Sequence, residues 1–153
     1  MTPERDSAPQ RPVGRVAAWI ARQVERGLAT SELSLPQYRV LGLLAEGNAL
    51  PSSMADRLNV RRPSITAVVD GLVARGLVVR TPAEGDRRQV SHAITAEGRQ
   101  LLAAADRDVE ERLAAIAGCL GSAAQTEAAL GGIELWGEAL HNWANRQVAE
   151  VPR

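Results

Sequence analysis

The residues with the most chemical capacity in this chain are its arginines, and they are clustered. All 18 basic residues among the 153 are arginine, balanced by 18 acids to a formal net charge of zero. Between Arg57 and Arg88, seven arginines (57, 61, 62, 75, 80, 87 and 88) meet three acids (Asp70, Glu84 and Asp86), a surplus of four positive charges. A guanidinium is a fixed fork of donors that suits phosphates and base edges. Arg61, Arg62, Ser64 and Thr66, with Pro63 and Ala67 between and beside them, put several such donors at one place. A solvated helix start is the plainer account of these residues, so the choice depends on what surrounds them.

Other chemistry is thin. No cysteine–histidine or serine–histidine arrangement, phosphate loop or metal motif is evident, so neither an enzyme nor a cofactor is read. Carboxylate pairs such as Glu110-Glu111 sit in an acidic helix without a cleft. Glu134, Glu138 and His141 share a helix face, and an exposed acidic face explains them better than a metal site. Cys119 is the sole cysteine; it reads as a buried, inert thiol, with only Arg112 nearby to lower its pKa.

The elements that would position the arginines follow from periodicity. Phenylalanine is absent and aromatics are 3% of the chain, so the core must come from Leu, Val, Ile and Ala. The Pro-rich residues 1–12 read as a disordered tail without the apolar stretch of a signal peptide, and no apolar run reaches membrane-spanning length. This predicts a cytoplasmic protein. Val13, Val16, Ala17, Ile20, Val24 and Leu28 recur at helical spacing. Ser34-Leu35-Pro36-Gln37 has the spacing of a capping box, ahead of a helix burying Tyr38, Leu41, Leu44 and Ala45. A short helix from Pro51 to Leu58 and another from Arg62 or Pro63 to Arg75 follow, the latter stopped by Gly76. Leu77 to Thr81 and Gln89 to Ile94 are β-prone and flank a turn. Thr95 can cap a long helix reaching about Cys119, and a last helix runs from about Gln125 with Trp136, Leu140 and Trp143 on one face.

Met54 to Val68 reads as a helix-turn-helix. Ala55 is small where the helices approach, Asn59 tolerates a left-handed turn, and Ile65 is apolar at the crossing. The exposed start of the second helix then carries Arg61, Arg62, Pro63, Ser64, Thr66 and Ala67, the end that enters a major groove in such motifs. The run Val69 to Arg80 (VDGLVARGLVVR), then Gly85-Asp86-Arg87-Arg88-Gln89-Val90, then Thr95-Ala96-Glu97-Gly98, closely resembles the MarR family of bacterial regulators. The detailed similarity covers about residues 35–102. It implies a winged helix-turn-helix in a mainly α fold with a small β-hairpin (α+β), and a DNA-binding transcriptional regulator, in particular a repressor. It further implies that Arg88 enters the minor groove, that Asp86 orients it through a charge-assisted pair, and that Arg87 contacts the backbone. The chain departs from many members in having Ala67 in place of a second recognition-helix arginine, and Gly71 where a long polar residue is common.

One wing and one recognition helix read little DNA, and apolar stripes remain on the first and last two helices. A homodimer reading a palindromic double-stranded operator answers both, with residues 35–95 binding DNA and 13–34 and 96–150 dimerising. The resemblance also implies release by a small phenolic or lipophilic effector. Trp19, Arg22 and Tyr38 would supply an aromatic wall and a cation for such an acid, unless Trp19 and Tyr38 are core. A winged helix serving as a protein-interaction module, or a regulator without a ligand, is the alternative.

Overall fold

The computed structural model describes residues 11–47, 49–83 and 86–149; the side chains at 83, 86–88, 145 and 147–149 are outside that description. Residues 1–10 of the expected tail and Gly85 of the hairpin turn therefore lie outside the described residues.

Local signals set most helix ends. Helix α1 (Val13–Gly27) runs into a 3-10 turn, Leu28–Ser31, and Glu32 then turns left-handed at φ 53°. Ser34 caps helix α2 (Leu35–Glu46): its hydroxyl accepts the Gln37 N–H while the Gln37 side chain accepts the Ser34 N–H, so two orphan donors are satisfied reciprocally. Helix α3 (Pro51–Leu58) ends at Asn59, left-handed at φ 51° and ψ 51°. Helix α4 (Arg62–Ala74) stops before Gly76, whose φ of 72° favours a residue without Cβ. Thr95 caps helix α5 (Ala96–Ala117) by accepting the Gly98 N–H, and helix α6 (Ala123–Ala149) is the last described element.

Strands β1 (Val78–Ala83) and β2 (Asp86–Ile94) are longer than their composition predicts. They pair antiparallel from Val78↔Ile94 to Pro82↔Val90, and then Ala83 faces Asp86. Across that step β1 advances one residue and β2 four. Proline has no N–H to carry the ladder onward, so the register breaks beside it. Ala49 adds a short bridge to His92 on the other edge of β2.

One apolar core joins these parts. Leu28, Val40, Leu41, Leu44, Met54, Ile65, Val69, Leu72, Val78 and Ile94 meet Leu102, Ala105 and Val109 of α5. Removing such side chains from water at about 25 cal/mol per Å² is the main stabilising term. The outer stripes are not covered in the single chain. Val13 is 74% exposed, and Trp19, Leu135, Trp136, Leu140 and Trp143 are each more than half exposed. Gly71 has only the Gln37 side chain within reach of an added Cβ, at 3.8 Å, so no close approach requires glycine there. Gly71→Ala is expected to raise unfolding free energy by about 0.5–1 kcal/mol, checked by denaturant titration.

Candidate nucleic-acid interface

Helices α3 and α4 cross tightly because small and apolar side chains occupy the contact. Met54, Ala55, Ile65 and Val69 are buried, and the Val60 N–H donates to the Ala55 carbonyl to close the turn. With Ile65 and Val69 pointing inward, the start of α4 turns Arg61, Arg62, Pro63, Ser64, Thr66 and Ala67 outward, and all six are exposed. Thr66 donates its hydroxyl to the Arg62 carbonyl at 3.2 Å, which leaves its oxygen lone pairs free to accept. Arg61 caps the helix only through its backbone, in an extended conformation.

The clustered arginines divide into two sets. Arg57 pairs with Glu46 at 2.5 Å, Arg75 donates to the Glu32 carbonyl at 2.9 Å, and Arg80 pairs with Asp70 at 2.6 Å. The guanidinium groups of Arg61 and Arg62 make no hydrogen bond or ion pair with any described residue, although their carbonyls accept bonds within the first turn of α4. The Asp70–Arg80 and Arg57–Glu46 pairs were not legible in the sequence: each joins two elements whose relative placement periodicity does not reveal. The side chains of Asp86, Arg87 and Arg88 lie outside the described residues, while their backbone belongs to β2, next to the register break.

His92 anchors the base of the hairpin. Its backbone N–H donates to the Ala49 carbonyl at 3.0 Å, the Ala49 N–H returns the bond at 3.1 Å, and the residue is 5% exposed. Burial, followed by the Arg80 guanidinium opposite it, pushes the imidazole pKa below its usual value; a backbone hydrogen bond with Ala49 and the Asp70 charge oppose this. The unfolded pKa is about 6.5. Below that pH the unfolded chain takes up a proton that the folded chain resists, so stability falls as pH drops from about 6.5 toward the lower folded value. Thermal unfolding between pH 7.5 and 5 measures this slope, and His92→Gln should flatten it.

The three residues proposed for an effector are not a single cluster of contacts. Trp19 is 55% exposed on α1 with Arg11 stacked over its ring at 5.1 Å, and Arg22 is exposed on the same helix. Tyr38 is half-buried and donates its hydroxyl to Asp106 of α5 at 2.5 Å, and burial with the Asp106 bond and charge raises its pKa. Cys119 corrects the sequence reading: it is exposed, because it follows the Gly118 cap of α5 rather than lying on the buried stripe. Val90 is 49% exposed, whereas His92 and Ile94, which alternate with it along β2, are buried.

Comparison with known proteins agrees with this architecture. The model of the MarR family matches residues 31–89. The HTH-type transcriptional regulator PecS of Dickeya dadantii is 30% identical over 118 residues, 72% of this chain and 69% of PecS. Another curated relative is matched over 59% of its length. CouR of Rhodococcus jostii RHA1, solved with p-coumaroyl-CoA, superposes with a TM-score of 0.67 at 26% identity over 86% of this chain and 88% of CouR. CouR has also been solved on a 23-mer DNA duplex, with a TM-score of 0.66 at 28% identity over 82% and 89% of the two chains. NadR in complex with 4-hydroxyphenylacetate gives 0.63 at 30% identity over 91% and 98%. Among the described residues no helix is long and apolar enough to cross a membrane. With the arginine-bearing helix-turn-helix, the hairpin beside it and these matches in agreement, the chain belongs to the MarR family of winged helix-turn-helix transcriptional regulators.

Proposed function

We propose that this regulator is a repressor that binds a palindromic operator as a homodimer and releases it on binding a small aromatic ligand. The observation that carries the DNA reading is the exposed Arg61 and Arg62 at the start of α4, whose guanidinium groups have no partner among the described residues, beside a hairpin that adds Arg87 and Arg88. Residues 35–95 then read DNA, and 13–34 with 96–150 form the dimer. Support for the dimer is the uncovered apolar surface of α1 and α6, too large to leave in water. Twofold symmetry would set the recognition helices about 34 Å apart, one turn of the duplex. Repression is supported by CouR, a transcriptional repressor seen on DNA. Phenolic ligands in CouR and NadR support the effector class, with Tyr38, Trp19 and Arg22 as its candidate contacts.

A gel shift on the DNA upstream of the chain's own gene tests the reading. Specific retardation should weaken steeply with salt, the logarithm of affinity falling by about 0.9 per phosphate contact for each tenfold rise. Phenolic acids added to the complex should release it. Retardation that is absent, or equal on unrelated DNA, would favour a protein-interaction module.

A further inference from the structure

We propose that Asp70 and Arg80 are a positioning pair that locks the wing to the recognition helix for DNA reading. The inference rests on the DNA-binding role proposed above and gives a task to two residues that role does not otherwise use. Asp70 lies on the outer side of α4 and Arg80 on β1. Their 2.6 Å contact therefore spans the corner formed by Arg75, Gly76 and Leu77.

Both side chains are 54% exposed, so the pair contributes at most about 1 kcal/mol to folding. Stability is a weak reason for it; geometry is a better one. The chain passes from α4 into the hairpin through that tight corner, and any pivot there changes the spacing between the helix start and the wing tip. Opposite Arg80 in the strand register stands His92, itself bridged to Ala49. A line of contacts thus crosses the wing base from Asp70 through Arg80 and His92 to Ala49, fixing the hairpin from both edges. Asp70 is also the sole acid of α4, and its charge would repel phosphates if Arg80 did not neutralise it.

Positioning and simple charge make opposite forecasts for Asp70→Asn. The full-length protein is titrated by fluorescence anisotropy against the operator duplex and a scrambled duplex, at several salt concentrations, with unfolding midpoints recorded in parallel. The variants are Asp70→Asn, Arg80→Gln, their combination, and the exchange Asp70→Arg with Arg80→Asp. If the pair positions the wing, each single change weakens operator binding about tenfold, and the combination is no worse than the poorer single. Asp70→Asn leaves the scrambled duplex unaffected, midpoints barely move, and the exchange recovers part of the loss. If Asp70→Asn tightens both duplexes while Arg80→Gln weakens both additively, only net charge matters and the proposal is overturned. An affinity loss that tracks a lowered midpoint overturns it as well. Wild-type protein that does not distinguish the two duplexes defeats the DNA-binding reading itself, and this inference with it.

Discussion

Gly98→Ala should lower the unfolding free energy by about 3 kcal/mol, at the upper end of what overpacking costs, although the change adds one methyl group and normally favours a helix. A Cβ at residue 98 would lie 2.3 Å from the Leu77 carbonyl oxygen and 2.8 Å from Ile94 Cγ1. The isoleucine carbon can swing away, but the carbonyl cannot. Leu77 O already accepts the Thr95 N–H at 3.0 Å, the Thr95 hydroxyl donates to the Gly76 carbonyl at 2.8 Å, and the Gly98 N–H donates to that hydroxyl oxygen at 3.0 Å. The first turn of α5 is thereby stitched to the corner between α4 and β1. Relief of the clash must shift the corner or break the cap, and a lost cap alone costs about 1 kcal/mol. Denaturant unfolding gives the loss directly. Because the same corner sets the wing, operator affinity should fall with it. A Gly98→Ala midpoint equal to wild type would mean the approach of α5 to Leu77 is looser than these distances require.

That glycine illustrates which parts of the fold could be read from residues and which could not. Ser34-x-x-Gln37, Asn59, Gly76 and Thr95 are legible because each acts within a few residues of itself, by hydrogen bonding or by tolerating a left-handed turn. The Thr95-x-x-Gly98 spacing was recognisable as part of a family pattern, but the reason for the glycine is the Leu77 carbonyl, 21 residues upstream in the corner between α4 and β1. The Asp70–Arg80 pair and the step in the hairpin register escape for the same reason: they depend on how two elements meet. The apolar stripes of α1 and α6 were correctly periodic. Both stripes stay exposed in the single chain, where the proposed dimer would cover them, and period alone does not distinguish that case from burial within the chain. Cys119 is exposed although helical spacing points it inward, because it lies one residue past the Gly118 cap, where the chain no longer follows the stripe.

For operator binding the largest single effect is expected from Arg88→Ala, a loss of about 1–3 kcal/mol, or roughly fivefold to more than a hundredfold in affinity. In the proposed reading α4 presents Ala67 where many relatives of this pattern have a second arginine, so Arg61 and Arg62 would carry its cationic contacts and the wing would have to supply more. The β2 backbone takes four steps to one of β1 beside Pro82, placing Arg87 and Arg88 in the longer arm of the hairpin. An arginine inserted in a narrow minor groove meets enhanced negative potential, and an acid two residues before it can hold the guanidinium in line. Arg88→Ala should therefore weaken operator more than scrambled DNA, with an unchanged unfolding midpoint. Asp86→Asn should reproduce part of that loss. Arg87→Ala, as a backbone contact, should weaken both duplexes alike and reduce the salt slope by about one. If Arg87→Ala proves the more selective of the two, the minor-groove role moves to Arg87; if neither changes operator affinity, the hairpin is not a DNA-binding wing.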